Sequence, residues 1–462
     1  MKKPVTSLLF ALLCAETTSL SITPGDDASV KSAASTIAYG LMKYYTGNNT
    51  GDTPGNLPSP YYWWEAGAMF GTMIDYWYMT GDTSYNAATS QAMIHQASPT
   101  RDFMPINQTR TEGNDDQGFW AMASMSAAEN KYPDPPPDKP GWLELTQAVF
   151  NHYVSRWDED NCDGGLRWQV FTFNAGYNYK NSISNGCFFN IAARLARYTG
   201  NSTYADWATA IFEWEQKAGL ITKEFAVLDG IHVDHHGGGT CVNRTDTQWS
   251  YNAGIFLHGA AVMYNLTRGE AWKARTDGLV RHSLGEFATD GVIFEPACEP
   301  VRGCDYNGLS FKGYYIRWLA ATIKMAPHTY EAIYPVMRKT AEAAARACSG
   351  SDVSFRGVPG TACGFAWTDG GKFDGLVGVG QQMCALDAVM YTLVDGVGAA
   401  VTHDTGGTSR GNPAAGGEPD DSHLPLPKAI TAGDRAGAAI ITIIFVGIGV
   451  GGSAFMLWDE DL

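Results

Sequence analysis

The sequence predicts an all-α domain in which helical hairpins repeat around a ring, an (α/α) barrel, with an irregular helical bundle as the alternative. Three observations lead there. Apolar residues recur at helical spacing along most of the chain. A stop-and-restart signal occurs twice, at Thr80-Gly81-Asp82-Thr83-Ser84-Tyr85 and Thr199-Gly200-Asn201-Ser202-Thr203-Tyr204, with a weaker copy at Thr267-Arg268-Gly269-Glu270-Ala271-Trp272. Composition stays uniform from about residue 29 to 401 with no linker-like break, which predicts one large domain.

Each signal has a mechanism. Glycine closes the first helix, Asp or Asn with Ser/Thr caps the second, and the tyrosine packs back to make an α-hairpin. Hairpins repeated over about 370 residues imply a ring whose inner helices surround a central groove.

In chain order, Lys2 and Lys3 precede an apolar run and then small polar residues, the layout of a secretory signal peptide at 1–21. Helical stripes follow: Met69, Met73 and Trp77; Phe119, Met122, Met125 and Ser126; Phe188, Ile191, Ala192 and Leu195; Trp207, Ile211 and Trp214; Phe256, Ala260 and Met263. The proline stretch at 133–140 reads as a loop, after which residues 142–157 resume the helical pattern. Strand-like alternation is brief, at 166–173. The domain spans 22–400, and a Gly/Pro/Ser/Thr-rich flexible spacer is expected at 401–435.

Residues 436–462 hold an apolar tail long enough to cross a bilayer, readable as a transmembrane anchor or as a signal exchanged for a glycolipid (GPI) anchor. Lys428 and Arg435 precede it and Asp459, Glu460 and Asp461 follow. This reverses the positive-inside pattern and favours the glycolipid anchor.

Cys14 falls in the leader, leaving Cys162, Cys187, Cys241, Cys298, Cys304, Cys348, Cys363 and Cys384, an even set that allows four disulfides in an oxidising compartment. Short spacing suggests Cys298 with Cys304 and Cys348 with Cys363. The remaining connectivity is open. N-glycosylation sequons stand at Asn48, Asn107, Asn201, Asn243 and Asn265, in keeping with secretion. With 32 basic against 48 acidic residues and a net charge of −16, no basic stripe for a polyanion exists, so nucleic acid is excluded as a partner. The 14 Trp and 22 Tyr suit a groove for neutral polar rings.

The segment Gly113-Asn114-Asp115-Asp116-Gln117-Gly118-Phe119-Trp120 places two adjacent carboxyls before an aromatic helical run. Glycosidic cleavage requires a carboxyl group to protonate the leaving oxygen and a second to attack or stabilise the anomeric carbon. Asn114 or Asp115 could equally cap the helix. Trp63 and Trp64 are candidate sugar platforms or core, Asp229 a sugar ligand or a turn residue before Gly230, and Gln248, Tyr251 and Asn252 sugar ligands or partners of buried backbone. In His232-Val233-Asp234-His235-His236 the histidine spacing is poor for one ion, and no metal or cofactor is expected. Gly237-Gly238-Gly239 lacks the Lys-Ser/Thr of a phosphate loop, and neither a G-x-S-x-G elbow nor a dinucleotide fingerprint occurs.

Three segments together, Tyr61-Tyr62-Trp63-Trp64-Glu65-Ala66-Gly67, the Asp115-Asp116 segment and Gln248-Trp249-Ser250-Tyr251-Asn252-Ala253-Gly254, make the chain resemble fungal members of glycoside hydrolase family 76, the endo-α-1,6-mannanase-like cell-wall proteins. The likeness runs from about Ser32 to Val394. It implies an (α/α)6 barrel and a retaining mechanism on α-1,6-linked mannose, with Asp115 as nucleophile and Asp116 as acid/base. Asn114 and Gln117 then join Trp63, Trp64, Asp229, Gln248, Tyr251 and Asn252 as substrate contacts. Retention needs carboxyls about 5 to 5.5 Å apart, so the pair is expected on a loop or first helical turn. The resemblance further implies an α-mannan or GPI-glycan substrate, a wall-glucan acceptor, membrane attachment through the tail, and a monomer. A non-catalytic glycan-binding scaffold of the wall is the alternative.

Overall fold

The computed structural model describes residues 19–234 and 239–416, together with Thr442, Phe445 and Val446. Nearly all of the expected leader and anchor, and also His235 and His236, lie outside the described residues.

Among the described residues there are twelve α-helices: α1 (Asp27–Met42), α2 (Trp63–Thr80), α3 (Asn86–Gln96), α4 (Asn114–Glu129), α5 (Trp142–Arg156), α6 (Ser182–Thr199), α7 (Ser202–Lys217), α8 (Ser250–Thr267), α9 (Glu270–Phe287), α10 (Phe311–Met325), α11 (Tyr330–Ala347) and α12 (Val379–Met390). The even-numbered helices pack side by side in the order α2, α4, α6, α8, α10, α12 and back to α2, while each odd-numbered helix packs outside the ring. This is an (α/α)6 barrel. Inner helices are buried on nearly every side, and small residues let them approach: Gly254 lies against Trp318 and Tyr315, and Gly259 against Phe189.

The repeated turn signal marks three crossings from an inner to an outer helix. Thr80, Thr199 and Thr267 each donate a hydroxyl to the carbonyl four residues back, at 2.6, 2.7 and 2.7 Å, and accept the backbone N–H two residues on, at 3.1, 3.2 and 3.2 Å. Gly81 and Gly200 take the left-handed conformation at φ 80° and 71°. In the third copy Arg268 occupies that position at φ 54°, a strained choice that accounts for the weaker sequence signal.

The inner helices run in one direction. Trp63 and Trp64 of α2, Asp115 and Asp116 of α4, Tyr251 of α8 and Phe311 of α10, all from amino-terminal turns, line one cavity. Their carboxy-terminal halves close the other end around a cavity of about 80 Å³, held by the buried ion pairs Arg194–Glu129 at 2.6 Å and Arg317–Asp75 at 2.7 Å. Helix amino ends therefore converge on the open end, where they favour negative charge.

An antiparallel sheet of β1 (Tyr179–Asn181), β2 (Leu228–Val233) and β3 (Cys241–Gln248) walls one side of that end. The alternation expected at 166–173 does not form a strand. Trp168 sends its N–H to the Tyr179 carbonyl at 2.6 Å and takes the Asn114 N–H on its own carbonyl at 2.8 Å, so its backbone joins two segments rather than one ladder.

Three disulfides form, Cys162–Cys241, Cys298–Cys304 and Cys348–Cys363, which includes both short-range pairs expected. The fourth does not. Cys187 on α6 and Cys384 on α12 are buried free thiols on helices three places apart in a ring of six, too far to bridge.

The segment expected to be flexible from residue 401 is packed as far as Gly416. Val401 N–H donates to the Glu129 carbonyl at 2.9 Å, and Arg410 donates to the carbonyls of Pro136, Pro137 and Lys139 in the proline loop. The strap then runs along α5. Its Ser409 hydroxyl and Arg410 carbonyl accept the N–H groups of Leu143 and Glu144, at 3.0 and 3.2 Å, in the first turn of a helix whose N-cap is Gly141, which has no side chain to do so. Asn151 donates to the carbonyls of Pro413 and Ala415 at 2.9 and 2.7 Å. Ending the domain at residue 400 strands these groups at a cost of about 2–4 kcal/mol. A 22–400 form is therefore expected to melt a few degrees below a 22–416 form in a thermal scan.

Candidate active site

The site is built from the first turn of α4. Gly113 is the N-cap in extended conformation, at φ −87° and ψ 161°, and Asp115 and Asp116 lie on the turn that follows. Neither Asn114 nor Asp115 caps the helix. Instead Asp116 reaches back so that Gly113 N–H donates to its Oδ2 at 2.7 Å. Asp115 Oδ1 accepts the Asp116 N–H at 3.2 Å, and the Trp168 indole N–H also donates to this carboxylate. A Cβ at Gly113 would overlap Asp115 Oδ1 and stand 3.2 Å from Trp168 Nε1, so any side chain there displaces the Asp115 carboxylate.

The cavity above the pair measures about 620 Å³, in the range of small-molecule sites. Trp63, Trp64, Asp229 and Tyr251, expected from the sequence, line it. Trp63 nevertheless belongs mainly to the core. It is 9% exposed, stacks on Trp120 with centroids 5.2 Å apart and donates its indole N–H to Gln96 at 2.8 Å. Trp64 is half-buried, 4.8 Å from the Phe119 ring, and presents the freer aromatic face. Asp229, on β2, accepts the Tyr179 hydroxyl at 2.6 Å, and Tyr251 stacks on Phe311 at 3.8 Å.

Four expected contacts are placed elsewhere. Asn114 and Gln117 are buried beneath the turn. Asn114 donates to the Arg167 carbonyl at 2.8 Å and Gln117 to the Asp102 carbonyl at 2.7 Å. Residues i and i+3 share a helix face, so these two turn inward together while Asp115 and Phe119 face the cavity. Gln248, at the end of β3, pairs with His282 Nε2 at 2.8 Å on outer helix α9. Asn252, on the first turn of α8, is fully buried and does not line the cavity; its side chain is a hydrogen-bond partner of Asp229.

The sequence reading missed Glu112, Trp168, Gln169, Tyr179 and Asn181, all of which line the cavity. Glu112 is 2% exposed and its carboxyl oxygens have no partner among the described residues. Burial, then the neighbouring Asp116, pushes its carboxyl well above the usual range, which favours the protonated form. Its position, one residue before the motif, was the available signal.

Both catalytic candidates are shifted upward. Burial raises Asp115 and the charge of Asp116 raises it further, while burial raises Asp116 to about 6 against the Gly113 N–H, which lowers it. The charge of one acts on the other, so the pair titrates as a unit.

Of the sequons, Asn48, Asn107, Asn201 and Asn243 are exposed, although Asn201 also caps α7 through Thr203 N–H at 3.0 Å. Asn265 is half-buried, accepting from Arg197 at 3.0 Å and donating to the Met325 carbonyl at 3.0 Å. His232 packs its ring 4.7 Å from that of Tyr179.

The family model for glycosyl hydrolase family 76 matches residues 29–404. The chain belongs to that family. It is 45% identical over 432 residues to the mannan endo-1,6-alpha-mannosidase DCW1 of Saccharomyces cerevisiae, covering 93% of each chain. The crystal structure of Dfg5 from Chaetomium thermophilum in complex with glucosamine superposes with a TM-score of 0.81 at 45% identity, covering 87% of this chain and 99% of that one. An inactive variant of an α-1,6-mannanase of Salegentibacter in complex with α-1,6-mannotriose has a TM-score of 0.63 at 17% identity, covering 79% and 99%. That last likeness extends to the fold alone. In this family member the paired aspartates stand at the open end of the barrel, on the cavity wall.

Proposed function

We propose that this family 76 glycoside hydrolase is a retaining enzyme active on α-1,6-mannan, with Asp115 as nucleophile and Asp116 as acid/base. The observation that carries the reading is the pair of carboxyls on the cavity wall at the amino end of α4, in a chain whose curated relatives are named mannan endo-1,6-alpha-mannosidases. The donors around the pair support the assignment of roles. Asp115 receives the Asp116 and Trp168 N–H groups, whereas Asp116 receives one, from Gly113. Burial and the Asp116 charge raise Asp115 and its donors oppose that rise; in the reacting pair the anion stands on Asp115 and the proton on Asp116.

Asp115 then attacks the anomeric carbon while Asp116 gives its proton to the departing glycosidic oxygen, leaving a covalent mannosyl ester. Asp116, now ionised, removes a proton from the incoming hydroxyl, which releases the sugar and restores the pair. Water as that hydroxyl completes hydrolysis, and a sugar hydroxyl completes transfer. Trp64, Phe119 and Trp168 give the cavity an aromatic wall on which mannose rings stack.

The reading continues to a secreted monomer held at the outer face of the membrane or in the wall by a glycolipid anchor at the tail, acting on the mannose-containing glycan of GPI-anchored proteins and passing it to wall glucan. Tethering raises the effective concentration of such substrates. Incubating residues 22–416 with an α-1,6-mannooligosaccharide, with and without a glucan acceptor, and following products by mass spectrometry is the test. Mannose-extended glucan is expected; shorter mannosides alone point to hydrolysis, and unchanged substrate with measurable binding overturns the catalytic reading in favour of a scaffold.

A further inference from the structure

Arg156, the last residue of α5, ends beneath the catalytic turn. Its Nη1 donates to Asn114 Oδ1 at 2.8 Å and to Gln117 Oε1 at 2.7 Å, the two amides that bracket Asp115-Asp116 in the chain. Each amide is already oriented from its other end. The Asn114 NH2 is fixed on the Arg167 carbonyl and the Gln117 NH2 on the Asp102 carbonyl, so both amide oxygens face the same guanidinium. The Asn114 backbone is held as well, its N–H on the Trp168 carbonyl at 2.8 Å and its carbonyl accepting the Tyr153 hydroxyl.

The guanidinium is itself braced. Arg156 Nη2 lies 3.2 Å from His152 Nδ1 and 3.0 Å from Met104 Sδ. His152 is lowered to about 4, by burial and then by the Arg156 charge, so it is neutral and offers a lone pair to the guanidinium. Gly416 packs against the His152 ring. Glu112 and Asp102 feel the Arg156 charge through space.

We propose that Arg156 is the positioning residue of the catalytic turn, its Nη1 fixing Asn114 and Gln117 while Nη2 is braced by His152 and Met104, and through the two amides it sets the placement of Asp115 and Asp116. It touches no cavity surface, and neither do the amides it holds. Its loss therefore moves the carboxyls without removing a substrate contact. A lysine supplies one nitrogen and lacks the second, which His152 and Met104 brace, so it does not hold the donor in the same place.

The proposal rests on the glycosidase reading, and the experiment separates the two. Initial rates on an α-1,6-mannooligosaccharide are measured for the wild-type 22–416 protein, Arg156→Lys and Arg156→Ala, normalised to folded protein by thermal melting. A displacement of the carboxyls by about 1 Å predicts a kcat about 100-fold lower in both variants with KM changed less than threefold. Low-millimolar guanidinium, and not ammonium, restores part of the Arg156→Ala rate, a rescue that a purely structural role does not give. Active wild-type enzyme with Arg156→Lys within threefold of it overturns the positioning role alone. A loss confined to KM, or a loss that tracks unfolded protein without guanidinium rescue, overturns it as well. Inert wild-type protein overturns the glycosidase reading, and this inference with it.

Discussion

Asp115→Asn and Asp116→Asn are each expected to lower kcat on an α-1,6-mannooligosaccharide by about 10³-fold or more, while glycan affinity and folding are retained. Asparagine keeps the shape and removes the charge, so the cavity wall stays in place and the chemistry stops. The two losses should not add, because both carboxyls serve one step. Stability should hold or rise, since each substitution removes a desolvated carboxyl from a repelling pair. The pH signature follows from the direction of the shifts. In the wild type, activity falls at low pH as the attacking carboxylate takes up a proton and at high pH as Asp116 loses its own, giving a bell. Asp116→Asn leaves Asp115 to titrate alone, in a single step in place of the coupled pair, which carbon NMR of labelled aspartate reads directly. Two variants that both turn over mannan at the wild-type rate would place the chemistry elsewhere.

The parts of this fold legible in sequence are those that local physics dictates. The Thr-Gly-Asp/Asn turns mark the inner-to-outer crossings because a threonine hydroxyl, a left-handed residue and a capping side chain must all fall within a few residues. Cys298 with Cys304 and Cys348 with Cys363 were likewise local. The aspartate pair was legible through its chemistry, and its place on a first turn through helix geometry. That same geometry also carried a signal the residue-type reading did not use: the three-residue spacing of Asn114 and Gln117 puts them on one face, opposite the cavity.

What could not be read is what distant segments bring. Trp168 reaches the pair, and Tyr179 the cavity, only because the loop after α5 folds back onto Gly113, through a backbone bridge at Gln169. Parity of cysteines suggested a fourth disulfide, yet ring position separates Cys187 from Cys384. The strap at 401–416 reads as a spacer because its composition offers little to bury. Its contacts are backbone carbonyls, N–H groups and a few side-chain polar atoms, which hydropathy does not register.

Gly113→Ala tests the geometry of the site with a single methyl group. The backbone at residue 113 is extended, a conformation alanine adopts freely, so the change introduces no torsional strain. Alanine is a poorer N-cap than glycine, which costs about 1 kcal/mol and leaves the barrel folded. The methyl must nevertheless occupy the place of Asp115 Oδ1, beside the Trp168 indole nitrogen. Asp115 has to rotate away, and in doing so it loses the indole donor and its line toward the anomeric carbon. An error of this size in the position of a nucleophile lowers kcat about 100-fold, with substrate affinity nearly unchanged because Trp64, Asp229 and Tyr251 are untouched. Trp168→Phe removes the donor without displacing the carboxylate and should lose less, with its acid limb moved to higher pH because an anion deprived of a hydrogen bond takes up a proton more readily. Steady-state kinetics of the two variants across pH therefore separate the position of Asp115 from its ionisation. A Gly113→Ala enzyme as fast as the wild type would show that the carboxylate reacts from another rotamer, one that leaves the space beside Gly113 empty.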